Sequence, residues 1–270
     1  MKIFDFNIHL PYLTDPDVNK VIAQDLHLDS QGIIKGFNTH YEYFSSVLGS
    51  NFLLFNTSLF DRSQADFKNL LERTPGDFTT TALIDVRSER IESYIDSLGA
   101  NGVRAVMVNS YLQQIDTNDF PKALRAFRYA AQKGLIICID GSYGTSQMYT
   151  YDNMKLACYI ADHISNVPIV IVHAGGYRVV EAMLLASDKK NVWLDTSFSL
   201  PYYMGSSIEQ DFAYVIRKLN FERVVFGSDH PYIPFESALS AHQSFFEKHH
   251  FNDTQISKVL YENAIKLFGI

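Results

Sequence analysis

Short runs in which nearly every residue is apolar recur along the chain, and each ends on polar residues. Eight can be picked out: 3–9 (IFDFNIH), 51–58 (NFLLFNTS), 77–85 (DFTTTALID), 102–109 (GVRAVMVN), 135–140 (LIICID), 168–173 (PIVIVH), 191–197 (NVWLDTS) and 223–229 (RVVFGSD). Runs this rich in Val, Ile, Leu and Phe predict strands covered on both faces, the habit of a parallel sheet wrapped by helices. Segments with helical periodicity lie between them, among them 87–100, 118–134, 151–164 and 207–220, several opened by a Ser, Asp or Asn able to cap a first turn. The last stretch, 253–270, places Ile256, Val259, Leu260 and Ile265 at the spacing of an amphipathic final helix. Strand alternates with helix throughout.

Eight such units predict an α/β fold of the (β/α)8 barrel type, distorted, in one domain over 1–270. Residues 10–49 form a long first excursion between strand and helix, long enough for one helix plus a lid over the barrel mouth. The first strand is the odd one out. Read with period two, Asp5, Asn7 and His9 share one face, and Phe6 and Ile8 the other.

Composition narrows the partners. With 47% hydrophobic residues in 270, the chain can bury a large core. A net charge of -7 and the lack of a Lys/Arg stripe disfavour a nucleic-acid binder, so the expected partner is a small-molecule substrate. No apolar run approaches the ~18 residues of a membrane span, and the expected location is cytoplasmic. Cys138 and Cys158 match no zinc or redox spacing and read as reduced core residues, so the sequons at Asn56 and Asn252 carry no weight. His40 and His242 read as solvated or core-satisfied, and His249-His250 as surface. The aromatic content of 10–49 leaves room for a homodimer surface.

In a barrel the residues at the C-terminal ends of the strands line the mouth. Here those are Asn7, His9, Asn109, Asp140, His173, Asp195, Ser197 and Asp229. Any one of them could simply bond a neighbouring carbonyl or cap a helix. Four of them, His9, Asp140, His173 and Asp229, occupy the same place in four units, where unpaired burial would be costly. Imidazole and carboxylate are the donors that a divalent ion such as zinc accepts at an open catalytic site. No P-loop, Gly-x-Gly-x-x-Gly, His-Glu-x-x-His or Gly-x-Ser-x-Gly element competes with them. Ala174-Gly175-Gly176 reads as a tight turn after the sixth strand. PYYMGS (201–206) could line a substrate pocket or pack in the core.

Asn7-x-His9 on the first strand, IVHAGG, VWLDTS, FGSDHPY and the closing LYENAIKLFGI together resemble the amidohydrolase superfamily. The likeness is to the branch that includes aminocarboxymuconate-semialdehyde decarboxylase and related lactonases and hydratases. That resemblance implies a barrel with one metal ion at its mouth, held by positions 7, 9, 140, 173 and 229. Asn7 and Asp140 stand where the family presents His. An amide oxygen is a weak ligand and a carboxylate favours harder ions, so the expected divalent ion shifts from zinc toward manganese or magnesium, or to none. With no Lys near Asn109, a carbamylated-lysine bridge is not expected. In the implied mechanism Asp229 acts as base or holds the water, His173 bonds that water or the oxyanion, and His9 with Asp140 or Asn7 anchors the ion. The expected activity is hydrolysis of a lactone, ester or amide. Decarboxylation would need a cation for a substrate carboxylate, for which Arg178 is placed. Ser197 and Tyr143 are further candidates for substrate contact. Metal-independent hydrolysis and a barrel retained only for binding are the competing readings.

Overall fold

The computed structural model describes residues 1–9, 47–54, 76–230 and 232–270. Eight strands pair in chain order, every pair parallel. They are β1 (Ile3–His9), β2 (Val47–Leu54), β3 (Asp77–Leu83), β4 (Ala105–Val108), β5 (Ile136–Asp140), β6 (Ile169–Val172), β7 (Val192–Asp195) and β8 (Val224–Val225). The two edges meet through the Ile8–His230 bridge, with Phe6 N–H donating to Phe226 O at 2.9 Å and Asp229 N–H to Asn7 O at 2.8 Å. The protein is therefore an α/β barrel, nearly closed.

Helices fill the connections as their periodicity predicts. α1 (Ile91–Ala100) follows β3, α2 (Phe120–Gln132) follows β4, and α3 (Gln147–Thr150) and α4 (Asn153–His163) follow β5. α5 (Val179–Asp188) comes after β6, and α6 (Ser199–Tyr203) and α7 (Ser207–Lys218) after β7. α8 (Phe235–Lys248), α9 (Asp253–Ser257) and α10 (Asn263–Phe268) complete the chain. α2 starts where Pro121 can sit in a first turn and buries Ala123, Leu124, Phe127, Ala130 and Ala131 along one stripe. Asp152 caps α4 by accepting from Lys155 N–H, and Ser206 caps α7 through Ile208 N–H.

Successive strand residues go to opposite sides. Val106, Val108, Ile137, Ile139, Ile169 and Ile171 pack in the layer beneath the helices. Ala105, Met107, Ile136, Cys138, Val170, Val172, Trp193 and Val225 form a second cluster with Phe4, Phe6 and the Ala264, Leu267 and Phe268 of α10. That cluster shares the period-two phase of Asn109, Asp140 and Asp195, so it fills the barrel and α10 closes its N-terminal end. Arg104, at the start of β4, donates to Phe268 O at 2.6 Å there.

Three expectations change. The eighth run pairs in the ladder over only Val224–Val225, because Phe226 N–H turns instead to Val259 O at 3.0 Å. The final helix is interrupted by a π turn over Lys258–Glu262, which shifts its face: Val259, Leu260, Ala264, Leu267 and Phe268 are buried, whereas Ile256 and Ile265 are only half-buried. Cys158 is half-buried, unlike the fully buried Cys138; both are free thiols. The first excursion, apart from 47–49 at the start of β2, lies outside the described residues, as do His40 and Asn56. Asn252 caps α9.

Candidate functional site

Strand ends and the loops after them surround a cavity of about 280 Å3 whose wall includes His9, Asn109, Asp140, His173 and Asp229. His9 Nε2 lies 3.1 Å from Asp229 Oδ1, and His173 Nε2 lies 4.0 Å from that same oxygen and 3.7 Å from Asp140 Oδ2. Side chains from β1, β5, β6 and β8 thus meet at one cavity, although up to 220 residues separate them.

Each is aimed by its backbone. Asp229 takes a left-handed φ of 63°, its N–H tied to Asn7 O and its carbonyl accepting from Tyr232 N–H at 2.9 Å. His173 has φ 61°, and Ala174, Gly175 and Gly176 continue with positive φ into the turn before α5. The Gly pair is thus a turn that swings His173 over the barrel axis. Left-handed backbone at Asp and His costs about 1 kcal/mol or more each, which surrounding bonds must offset.

His173 is held from below. Its Nδ1 faces Ser197 O and Ser197 Oγ, both at 3.0 Å, and its backbone N–H donates to Asp195 Oδ2 at 3.2 Å. Donation from Nδ1–H to the Ser197 carbonyl fixes the tautomer that leaves Nε2 facing the cavity. Burial pulls the His173 imidazole down, but the charges of Asp229, Asp140 and Asp195 outweigh it and hold its pKa above the usual value.

Asp140 is engaged on both oxygens. Oδ1 accepts from Ser142 N–H at 2.8 Å and Ser142 Oγ at 2.5 Å, and Oδ2 from Asn109 Nδ2 at 3.0 Å. Asn7 is placed differently from the ligand position that the resemblance implied. Its Nδ2 donates to Ser197 Oγ at 2.6 Å and to Asp195 Oδ2 at 3.4 Å, fully buried beneath the cavity, and its Oδ1 has no hydrogen-bond partner. Ser197 is likewise buried; its hydroxyl donates to Asp195, so it braces His173 from below the cavity.

Arg178 is occupied. Glu181 binds its Nε and Nη2 at 2.5 Å each, Asp152 takes Nη1 at 2.9 Å, and the Tyr143 hydroxyl bonds that same Nη1. The cation that decarboxylation would direct at a substrate carboxylate is neutralised by two acids. Tyr143 lines the cavity with its ring and uses its hydroxyl on Asp152 at 2.6 Å.

Two buried acids, Glu209 and Asp5, escaped sequence reasoning. Glu209 is buried and binds His249 Nε2 at 3.0 Å and Lys248 Nζ at 2.7 Å, so His249 is interior where a surface position was expected; His250 is exposed. His242 is core-satisfied, one of the two placements its sequence context allows, between Thr196 Oγ1 at 2.9 Å and Ala238 O at 2.8 Å. Asp5, the third member of the polar face of β1, is fully buried and accepts from Ser228 N–H at 2.8 Å, just before Asp229. Its period-two phase with Asn7 and His9 was the available signal.

Burial pushes Asp5 up to about 7 against the hydrogen bonds from Ser228 and Asn7. A raised carboxyl has the opposite linkage to a salt-bridged one. Below about pH 4 both folded and unfolded chains hold the proton. As pH rises toward 7 the unfolded chain ionises first, so stability falls across that window and the penalty is complete above it. Asp5→Asn removes the titration. Its stability relative to wild type is expected to rise between pH 4.5 and 7.5 by on the order of a few kcal/mol, read from urea midpoints; a constant difference would contradict this role.

The donor chemistry fits a divalent cation. Two ligands on a tetrahedral ion at ~2.1 Å lie ~3.4 Å apart, and the measured separations of 3.1, 3.7 and 4.0 Å bracket that edge. These contacts do not amount to a finished cage: among the described residues no group of three or more His, Cys, Asp or Glu is gathered as a metal site. The fit rests on two imidazoles and two carboxylates facing one cavity, with the His173 tautomer already set.

A family model described as "Amidohydrolase" matches residues 59–270. No curated protein sequence matches the chain. Among solved structures, an uncharacterised TIM-barrel protein from Bordetella bronchiseptica is similar at 17% identity and TM-score 0.77, covering 100% of this chain and 99% of its own. A probable 2-pyrone-4,6-dicarboxylic acid hydrolase from Acinetobacter baumannii, with citric acid bound, is similar at 15% identity and TM-score 0.67, with both chains covered in full (100%). An amidohydrolase from Burkholderia multivorans with bound zinc is similar at 11% identity and TM-score 0.68, again over 100% of both. At these identities the likeness is one of fold. No helix among the described residues is long and apolar enough to cross a membrane.

Proposed function

Because this chain belongs to the amidohydrolase family, we propose that it hydrolyses a small lactone, ester or amide with a water activated at the barrel mouth, aided by one divalent metal ion, zinc or manganese. The observation that carries the reading is the approach of His9 Nε2 and His173 Nε2 to within 3.1 and 4.0 Å of Asp229 Oδ1 on the cavity wall.

His9, Asp229 and His173 would hold the ion, with Asp140 as a further oxygen donor. The chemistry it supplies when bound is polarisation of the substrate carbonyl and a more acidic water. Asp229 accepts the proton as that water attacks, then returns it to the leaving oxygen or nitrogen. His173, fixed through Ser197 and Asp195, keeps Nε2 on the reacting side. Asn109 and Ser142 hold Asp140 so that its charge stays directed at the cavity.

One observation favours a second reading. His173 Nε2 lies 3.7 Å from Asp140 Oδ2 and 4.0 Å from Asp229 Oδ1, and a proton held there by the two carboxylates could be donated to an oxyanion without any metal. A screen of lactones, esters and amides with manganese- or zinc-loaded protein, and with the same protein after chelation, separates the two. Roughly tenfold or greater loss on chelation, restored by the ion, is the expected result. Equal turnover in both samples supports the second reading. Absence of hydrolysis in both contradicts the proposed activity.

A further inference from the structure

Building on the hydrolase reading, we infer that the substrate is an uncharged carbonyl compound bearing an aromatic ring, which lies on a rim of aromatic side chains above Asp229 and His173. The loops after β5, β6 and β7 contribute this rim. Phe198 stands edge-on to the His173 ring at 6.0 Å and stacks on Tyr202 at 5.4 Å, and Tyr203 meets Tyr202 at 5.1 Å. Tyr143, on the cavity wall, contacts Tyr177 at 5.2 Å and Tyr149 at 6.2 Å. Aromatic contacts therefore run from the reacting groups outward to solvent.

Tyr143 and Tyr203 also pack against the core, but the outer rings are not spent on it. Tyr149 is 71% exposed and Tyr202 66%, although large aromatic side chains are favoured where one face is covered. Phe198 holds a left-handed φ of 54°, a strained conformation that places its ring beside His173 and not in the helix layer. A flat ring entering along Tyr202 and Phe198 gains offset or edge contacts on the way to the cavity.

Charge narrows the class further. Asp140 and Asp229 face the cavity, and among the described residues no Lys or Arg lines it. The guanidinium of Arg178 lies 5.1 Å over the ring of Tyr143, a wall residue, with Glu181 and Asp152 bonded to it. Among the described residues a substrate carboxylate would meet two acids, offset only by the bound ion, and a cation already paired. A neutral ester or lactone carbonyl meets no such repulsion.

Calorimetry on the metal-loaded wild-type protein tests this with ligands that are not hydrolysed on the timescale of the titration. The probes are 3,4-dihydroquinolin-2-one (neutral, aromatic), piperidin-2-one (neutral, without the ring) and benzene-1,3-dicarboxylate (aromatic, dianionic). The fused-ring lactam is expected to bind about tenfold or more tightly than either other probe. Tyr202→Ala, a change at an exposed side chain, is expected to weaken that lactam by about fivefold or more and to leave piperidin-2-one unchanged. Equal binding of the two lactams, preference for the dicarboxylate, no binding by any probe, or an unaffected Tyr202→Ala overturns the inference. Because binding is read without turnover, a protein that prefers the aromatic lactam yet hydrolyses nothing would sink the hydrolase reading and leave the rim as a binding site.

Discussion

Asp229→Asn is expected to lower kcat/KM for whichever lactone, ester or amide is turned over best by about a thousandfold. The amide matches the carboxylate in shape, so the left-handed turn held by Asn7 O can persist, and the melting temperature should move little. What disappears is the negative charge of the carboxylate whose Oδ1 lies near both His9 and His173, at 3.1 and 4.0 Å. An amide neither accepts the water proton nor supplies charge to a cation, so both readings of the mechanism demand the loss. Steady-state kinetics on the variant, with thermal melts alongside, check it. Retention of activity within about tenfold of wild type would remove Asp229 from the chemistry.

The second large effect is structural and falls on the layer beneath the site. Gly227 lies between Phe226 and Ser228, where an added Cβ would sit 2.6 Å from Asp195 Oδ1 and 2.8 Å from the Cβ atoms of both Asn7 and Ser197. None of these can retreat cheaply: Asp195 is bonded to Ser197 N–H at 3.0 Å, and Asn7 to Ser197 Oγ at 2.6 Å, in a fully buried layer. Gly227→Ala is therefore expected to cost about 3 kcal/mol, near the upper end for overpacking, and to lower the melting temperature by about 6–12 °C. The same displacement loosens Ser197 beneath His173, so kcat should fall with it. Gly99→Ala is the control. No atom lies within 4 Å of its added Cβ, in the last turn of α1, and it should be neutral or slightly stabilising. Equal melting of the two variants would mean the layer is slack.

Most of the barrel is legible in the chain because a strand buried on both faces needs a nearly unbroken apolar run: each of the eight runs contains a strand, and five are strand over most of their length. RVVFGSD is apolar enough to qualify, yet its ladder is short because Phe226 bonds to the C-terminal segment, a choice made by packing. The π turn at 258–262 moved the buried face of the final helix in the same way, since one extra residue in a turn leaves no local signature.

At the site, strand-end position brought His9, Asp140, His173 and Asp229 to one cavity wall as the pattern implied. Direction of hydrogen bonding was not readable. Asn7 and Ser197 occupy positions equivalent to wall residues, but the bulge in β1 between Asp5 and Ile8 and the carboxylate of Asp195 draw them into the layer below. Of the partners of Arg178, only Glu181 is local, three residues on; Asp152 and Tyr143 come from the connection after β5, and their approach depends on the fold. Positive φ at His173, Phe198 and Asp229, residue types that seldom adopt it, likewise depends on the assembled mouth.

Four side chains, distant in sequence, are proposed to share one cation at the mouth. Anomalous scattering from crystals soaked in manganese, collected with X-rays above the manganese edge, addresses that directly. The account predicts one strong peak per chain, about 2.0–2.4 Å from His9 Nε2 and Asp229 Oδ1 and on the cavity side of His173 and Asp140. A peak elsewhere, or none at saturating manganese, would contradict it.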